Sequence, residues 1–187
     1  NDKSSYRISI LKSNLNRLNF KTEILNKDFL NFREDIKYDC IIIDAPCSSV
    51  GTIRKNPEIF FKKNSPDFKK LNEIQNSMLN KASILLNTNG FILYMACSFL
   101  KVETEDLIDN FLHQKKDFKL YKFNLVKRNI EYSKLIKKNY MITLPDTIKE
   151  LNIDGYFAAY IKKIRWYLQL EKLLMFLLFI NLNLKKI

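Results

Sequence analysis

The chain has 187 residues, 47% hydrophobic and 28% charged, enough for one domain with a real core and a balance that argues against wholesale disorder. Lys and Arg number 32 against 20 Asp and Glu, a formal charge of +12, which favours a polyanionic partner, nucleic acid or an anionic membrane surface. Cys40, Cys47 and Cys97 are an odd set with no framework spacing, so a secreted disulfide scaffold is not indicated and a reducing cytoplasm fits.

In chain order, Ser4 or Ser5 is placed to cap a helix through Tyr6, Ile8, Leu11, Leu15 and Leu18, close to a 3.6-residue period. Lys21–Leu25 reads as a short strand. Tyr38–Asp44, "YDCIIID", is apolar through its middle, the pattern of a strand covered on both faces in a parallel sheet. Cys40 within it reads as a core thiol. The stretch from Ser48 to Lys70 is polar, basic and carries Pro57 and Pro66. That is long for a loop and points to function. A helix follows from about Leu71 to Leu86, then a turn at Asn89-Gly90 into the strand Phe91–Cys97. Val102–Leu112 reads as a helix, Asp117–Phe123 as a strand and, after a basic connection, Gly155–Lys163 as another strand.

This alternation predicts an α/β sheet with parallel strands and an antiparallel pair near the C-terminal end. Residues 1–163 form the expected domain. The remainder, 164–187, is a tail of undetermined role whose apolar block Leu173–Ile180 is too short to span a bilayer, which needs about 20 residues. No membrane association is expected and a monomer is the expected state. The chain opens on Asn1-Asp2 without Met and with no signal peptide, which reads as a fragment or a chain with its start removed.

In open α/β sheets ligands bind beyond the carboxyl ends of the strands. Asp44-Ala45-Pro46-Cys47 stands at one such end and Ala96-Cys97-Ser98 at another, so both thiols are expected on one rim. His113, the single histidine, lies in a predicted helix beyond Cys97 and suits a solvated position better than a Cys–His pair. With no CxxC, zinc is not expected either. Thiols serve cytosine chemistry without histidine. A thiolate that adds to C6 makes C5 nucleophilic, a carboxyl group near N3 stabilises the developing charge, and a second thiol assists release.

The motifs then become specific. "DAPCSSVGTIRKNPE" resembles the fourth motif of the Sun/nucleolar-protein family of RNA cytosine-C5 methyltransferases, Asp-Ala-Pro-Cys-Ser-Gly-x-Gly followed by a basic residue and Asn-Pro-Asp/Glu. "YMACS" (Tyr94–Ser98) resembles its Tyr-x-Thr-Cys-Ser, "VETEDLIDNFL" the Glu-Asn-Glu helix after it, and "LPDTIKELNIDGYFAAYIKK" its closing stretch. "DKSSYRISILKSNLNRLNF" resembles the Asp-x-x-x-x-Arg-Leu segment near the start. The resemblance covers residues 1 to about 163. Within that family it resembles the bacterial small-subunit ribosomal RNA methyltransferase B type.

The resemblance implies a Rossmann-like, S-adenosylmethionine-dependent methyltransferase sheet that methylates cytosine C5 in ribosomal RNA. It makes Cys97 the nucleophile, Cys47 the residue assisting release, and Asp44 a contact to both base and donor methyl. Asp2 would bind the donor's ribose, Asp28 would lie near its adenine, and Arg54 and Lys55 near RNA phosphates. DNA cytosine methyltransferases, by contrast, use a Pro-Cys thiol at the Cys47 position as nucleophile, and a fragment of one is a further reading. Ser49 departs from the family's Gly and, if φ there is positive, strains the loop by about 1 kcal/mol or more. Ala96 replaces Thr and Thr104 replaces Asn. The family's Gly-rich donor loop after the first strand is not found, so the sheet is expected to be truncated at its N-terminal side and to bind the donor weakly or not at all. The alternative function is a catalytically inactive basic RNA-binding fragment.

Overall fold

The computed structural model describes residues 1–61, 66–123, 132–147 and 153–164. The expectations for residues 165–187, the apolar block included, lie outside the described residues.

Helix α1, Ser5–Arg17, is capped by Ser4, whose Oγ accepts the Arg7 N–H. Its periodic face is only shallowly used. Ile8 is buried, whereas Tyr6 and Leu18 are exposed. Strand β1, Tyr38–Asp44, runs parallel to β2, Leu86–Ala96. On its other edge β2 pairs antiparallel with β6, Tyr156–Lys163. The far edge of β6 is shared by β5, Tyr140–Thr143, along its first half and β3, Phe118–Tyr121, along its second. Strand β4, Ile136–Lys137, closes a hairpin with β5. The result is an open mixed sheet in the order β1-β2-β6-β5-β4.

Helices α2, Phe68–Leu85, and α3, Glu105–Gln114, supply the covering layer. Asp67 caps α2 through the Lys70 N–H at 3.0 Å. Leu79, Ala82 and Leu85 of α2 and Leu107, Ile108 and Phe111 of α3 pack against Ile41, Ile43, Ile92, Tyr94, Ala159 and Ile161 of the sheet. Each fully buried aliphatic side chain contributes about 1.5–3 kcal/mol through apolar area withdrawn from water.

Three expectations change. β1 is buried on one face only. Ile41 and Ile43 point inward, while Cys40, Ile42 and Asp44 are exposed. α2 packs against β1, but α1 makes no comparable packing with the sheet, so an unbroken apolar run ends up with the period-2 burial of a half-covered strand. Cys40 is therefore an outward-facing thiol and not a core one. Lys21–Leu25 forms no strand. The backbone bond it makes to another segment, among the described residues, is from the Asp2 N–H to the Leu25 carbonyl at 3.2 Å, and one bond is not a ladder. The basic connection contains the β4–β5 hairpin, turned by Lys138 and Asn139 at φ 50° and 72°. Two consecutive left-handed residues make the type I′ turn that matches strand twist.

Candidate functional site

The parallel pairing of β1 and β2 puts their carboxyl ends on one rim, with Asp44 in register with Met95. The chain then leaves β1 slowly, because the Ala45 N–H still donates to the Met95 carbonyl at 2.9 Å. Beyond it the loop is stapled from below. The Glu103 side chain is fully buried. Its Oε1 accepts the Ser48 N–H at 2.8 Å, and its Oε2 accepts the Ser48 and Ser98 hydroxyls at 2.6 and 2.8 Å. Gln75 Nε2 bridges the Pro46 carbonyl at 2.8 Å and Glu103 Oε1 at 3.4 Å. One carboxylate thus fixes the residue after Cys47 and the residue after Cys97.

Gly51 joins the loop to the far side of the sheet. Its N–H donates to the Cys97 carbonyl at 3.0 Å and its carbonyl accepts the Gly155 N–H at 2.7 Å. A Cβ on Gly51 would stand 1.9 Å from the Gly155 oxygen, so the two backbones meet this closely only because residue 51 has no side chain.

Between these ties the two sulfurs meet. Cys47 Sγ lies 3.2 Å from Cys97 Sγ, and both are free, half-buried thiols. Cys97 Sγ also lies 3.3 Å from Ser49 Oγ. The hydrogen bond from Cys47 holds the Cys97 thiol down, to about 6, against the opposing effect of burial and with help from the Ser49 hydroxyl. The nearby Asp44 charge works weakly the other way. Cys47 is pushed up, first by the same hydrogen bond and then by burial. The two sulfurs share one hydrogen bond, so a proton lost from Cys97 leaves a thiolate to which the Cys47 S–H is placed to donate.

The remaining sequence-predicted residues divide. Asp44 ends β1 exposed on the rim beside the thiols. Asp28 caps a short 3-10 turn, accepting the Leu30 N–H at 2.9 Å through one oxygen. Asp2 is engaged on both oxygens. Arg7 grips it at 2.7 and 3.1 Å and the Ser4 N–H adds a third bond, which together hold its carboxyl below the usual range. Arg54 and Lys55 converge on Asp154, at 3.1 and 2.7 Å. Asp154 is buried, and the Lys55 hydrogen bond is the first cause of its lowered pKa. His113 sits exposed in the last turn of α3, the solvated position expected for it.

Glu103 and Asp154 were not assigned roles from sequence. Glu103 lies five residues after the Ser98 hydroxyl it accepts, a spacing that carries no signal until the turn at Lys101–Glu103 is known. Asp154 in "IDGYF" pairs with side chains a hundred residues earlier, and only tertiary structure brings them together.

Comparison with known proteins gives a consistent picture. Residues 1–162 match the family model described as 16S rRNA methyltransferase RsmB/F. The chain is similar to ribosomal RNA small subunit methyltransferase B of Shewanella oneidensis, 34% identical over 122 residues, covering 64% of this chain and 28% of that protein. It is also similar to 25S rRNA (cytosine-C(5))-methyltransferase nop2 of Schizosaccharomyces pombe, 31% identical over 175 residues, covering 88% of this chain and 29% of that protein. The chain thus spans less than a third of the length of these curated relatives. Among solved structures, PH0851 superposes with a TM-score of 0.74 at 28% identity, covering 87% of this chain and 36% of that one. The Rossmann-like methyltransferase sheet expected from the sequence agrees with this likeness, and with the match across 162 residues the chain belongs to the RsmB/F family of 16S rRNA methyltransferases.

Proposed function

We propose that the chain carries the base-side machinery for methylating cytosine C5 in small-subunit ribosomal RNA, with Cys97 as nucleophile. The observation that carries this reading is the close approach of the two thiols on the rim, 3.2 Å between sulfurs. The Cys97 thiolate adds to C6 of an unstacked cytosine, and the electron pair of the C5–C6 bond moves to C5 and into the ring. Asp44, exposed on the rim, is the carboxyl group that would meet the N3 side of the base, where charge develops. S-adenosylmethionine, when bound, supplies the methyl group that C5 takes. Loss of the C5 proton to a base then restores the double bond and expels Cys97. The Cys47 S–H, 3.2 Å away, then donates to that sulfur and stabilises the departing thiolate. A flipped or single-stranded base suits the site, because the reacting carbon has to leave its stack.

The residues for the donor fit in part. Asp44 is open and Asp28 has one carboxyl oxygen outside the cap, but Asp2 offers a ribose no oxygen until its exposed pair with Arg7 opens. Arg54 and Lys55, about two-fifths and three-fifths exposed, present charge to RNA phosphates from positions fixed by Asp154.

The test separates addition from methyl transfer. Addition to C6 alone labilises the C5 hydrogen, so RNA tritiated at cytosine C5 releases label without any donor. Cys97→Ala abolishes release. With S-adenosylmethionine added, Cys47→Ala accumulates a covalent protein–RNA adduct. An adduct with Cys97→Ala and none with Cys47→Ala reverses the two roles. RNA binding without label release favours the second reading, an inactive RNA-binding module, which the closed state of Asp2 supports.

A further inference from the structure

We propose that Ser49 is a positioning residue for the Cys97 thiolate, its hydroxyl held in place by a left-handed backbone that glycine would adopt at no cost. Ser49 has φ 62° and ψ 16°. Of the five non-glycine residues at positive φ among the described residues, three are Asn and one is Lys138 in the hairpin turn. Asn tolerates this region through its short polar side chain, whereas Ser gains no such relief. The conformation is locked from outside, since the Ser49 carbonyl accepts both the Thr52 N–H and the Thr52 hydroxyl at 2.9 Å.

The strained residue addresses both sulfurs. Its Oγ lies 3.3 Å from Cys97 Sγ, and its backbone N–H hydrogen-bonds Cys47. In the thiol form Cys97 S–H donates to Ser49 Oγ. When its proton passes to solvent, the hydroxyl rotates and donates to the thiolate. Cys97 then has two donors, Cys47 S–H and Ser49 O–H, and keeps the second whenever a substrate draws Cys47 away. The side chain therefore does for the nucleophile what a glycine at this position cannot.

The inference rests on Cys97 being the attacking thiol, and its test reads wild type and variants side by side, which distinguishes failure of that reading from failure of this inference alone. The native 187-residue chain is treated with iodoacetamide across pH, and alkylation of each cysteine is read by peptide mass spectrometry, with exposed Cys40 as internal reference. Ser49→Ala and Ser49→Gly each raise the Cys97 inflection by about one pH unit. Ser49→Gly at the same time keeps or raises the urea midpoint, because it removes the left-handed cost. Ser49→Asn, which accepts the backbone and carries an N–H donor, restores part of the low inflection. If the wild-type Cys97 inflection sits at an ordinary thiol value, the activated-thiol reading falls with this one. If the wild-type inflection is low and neither Ala nor Gly moves it, or Ala moves it and Gly does not, Ser49 has no such role.

Discussion

Replacing Glu103 tests the idea that a single buried carboxylate holds the two thiol segments in register. Four donors converge on it, the Ser48 N–H, two hydroxyls and the Gln75 amide. In Glu103→Gln the shape survives but the charge does not. Each short hydrogen bond to an ionised acceptor falls from about 1.5–3 kcal/mol to the neutral range of about 0.5–1.5, so the three short ones together lose roughly 3–4.5 kcal/mol. Some of this returns if the hydroxyls turn to accept from the new amide. In Glu103→Ala the Ser48 N–H and both hydroxyls are left buried without an acceptor at about 1–3 kcal/mol each, with a cavity in addition. The expected cost is about 4 kcal/mol or more, a large share of the roughly 5–15 kcal/mol that holds a domain together. Urea titration followed by far-ultraviolet circular dichroism measures both. The Gln variant should unfold at clearly lower urea with an unchanged slope, and the Ala variant should be partly unfolded in buffer. Midpoints within about 0.5 kcal/mol of wild type for both would show that water or neighbouring groups satisfy these donors and that the staple is not one.

Other predictions follow from the same site. Gly51→Ala forces the 51 and 155 backbones apart and costs about 2–3 kcal/mol by overpacking, read as a lower urea midpoint; a midpoint equal to wild type means the contact yields freely. Diamide treatment should join Cys47 to Cys97, block alkylation of both and reverse with dithiothreitol, as their 3.2 Å approach requires; mass spectrometry that finds Cys40 crosslinked first contradicts it. Asp154 has a folded pKa below its unfolded one, so its contribution to stability is present above the ordinary carboxylate pKa and is lost as pH falls through the folded value. Asp154→Asn should accordingly destabilise at neutral pH and converge with wild type in acid, and parallel urea-midpoint profiles would refute the ion-pair reading. Lys138→Gly relieves a positive φ of 50° in the hairpin turn and should stabilise by about 0.5–1 kcal/mol in thermal unfolding.

The sequence made the rim legible because parallel strands leave a signature that needs no tertiary knowledge. An apolar run ending in Asp44-Ala45-Pro46-Cys47, and a second ending at Cys97, already place both thiols at strand ends. The warning about a positive φ at Ser49 was also readable, since a glycine motif with serine in it states its own strain. What stayed hidden depends on neighbours. Cys40 and Ile42 look like core residues until it is known that only one face of β1 is covered. The β4–β5 hairpin is short and basic, and its turn is marked by Lys138-Asn139 instead of Asn-Gly, so propensity gave no cue. Lys21–Leu25 has strand composition but no ladder, because β propensity describes fitness for a pleated surface and cannot provide the surface.

The crossing of Gly51 and Gly155 has a consequence for biogenesis. The loop that carries Cys47 is closed by residues made a hundred positions later, so nothing translated before Asp154-Gly155 can finish the rim that holds the two thiols. At ordinary elongation rates that leaves the thiols of a nascent chain without their final scaffold for several seconds, and non-local closure of this kind is slow even after release. The segment that holds the Cys47–Cys97 sulfur pair therefore reaches its final geometry only once residues 154 and 155 are available to close it.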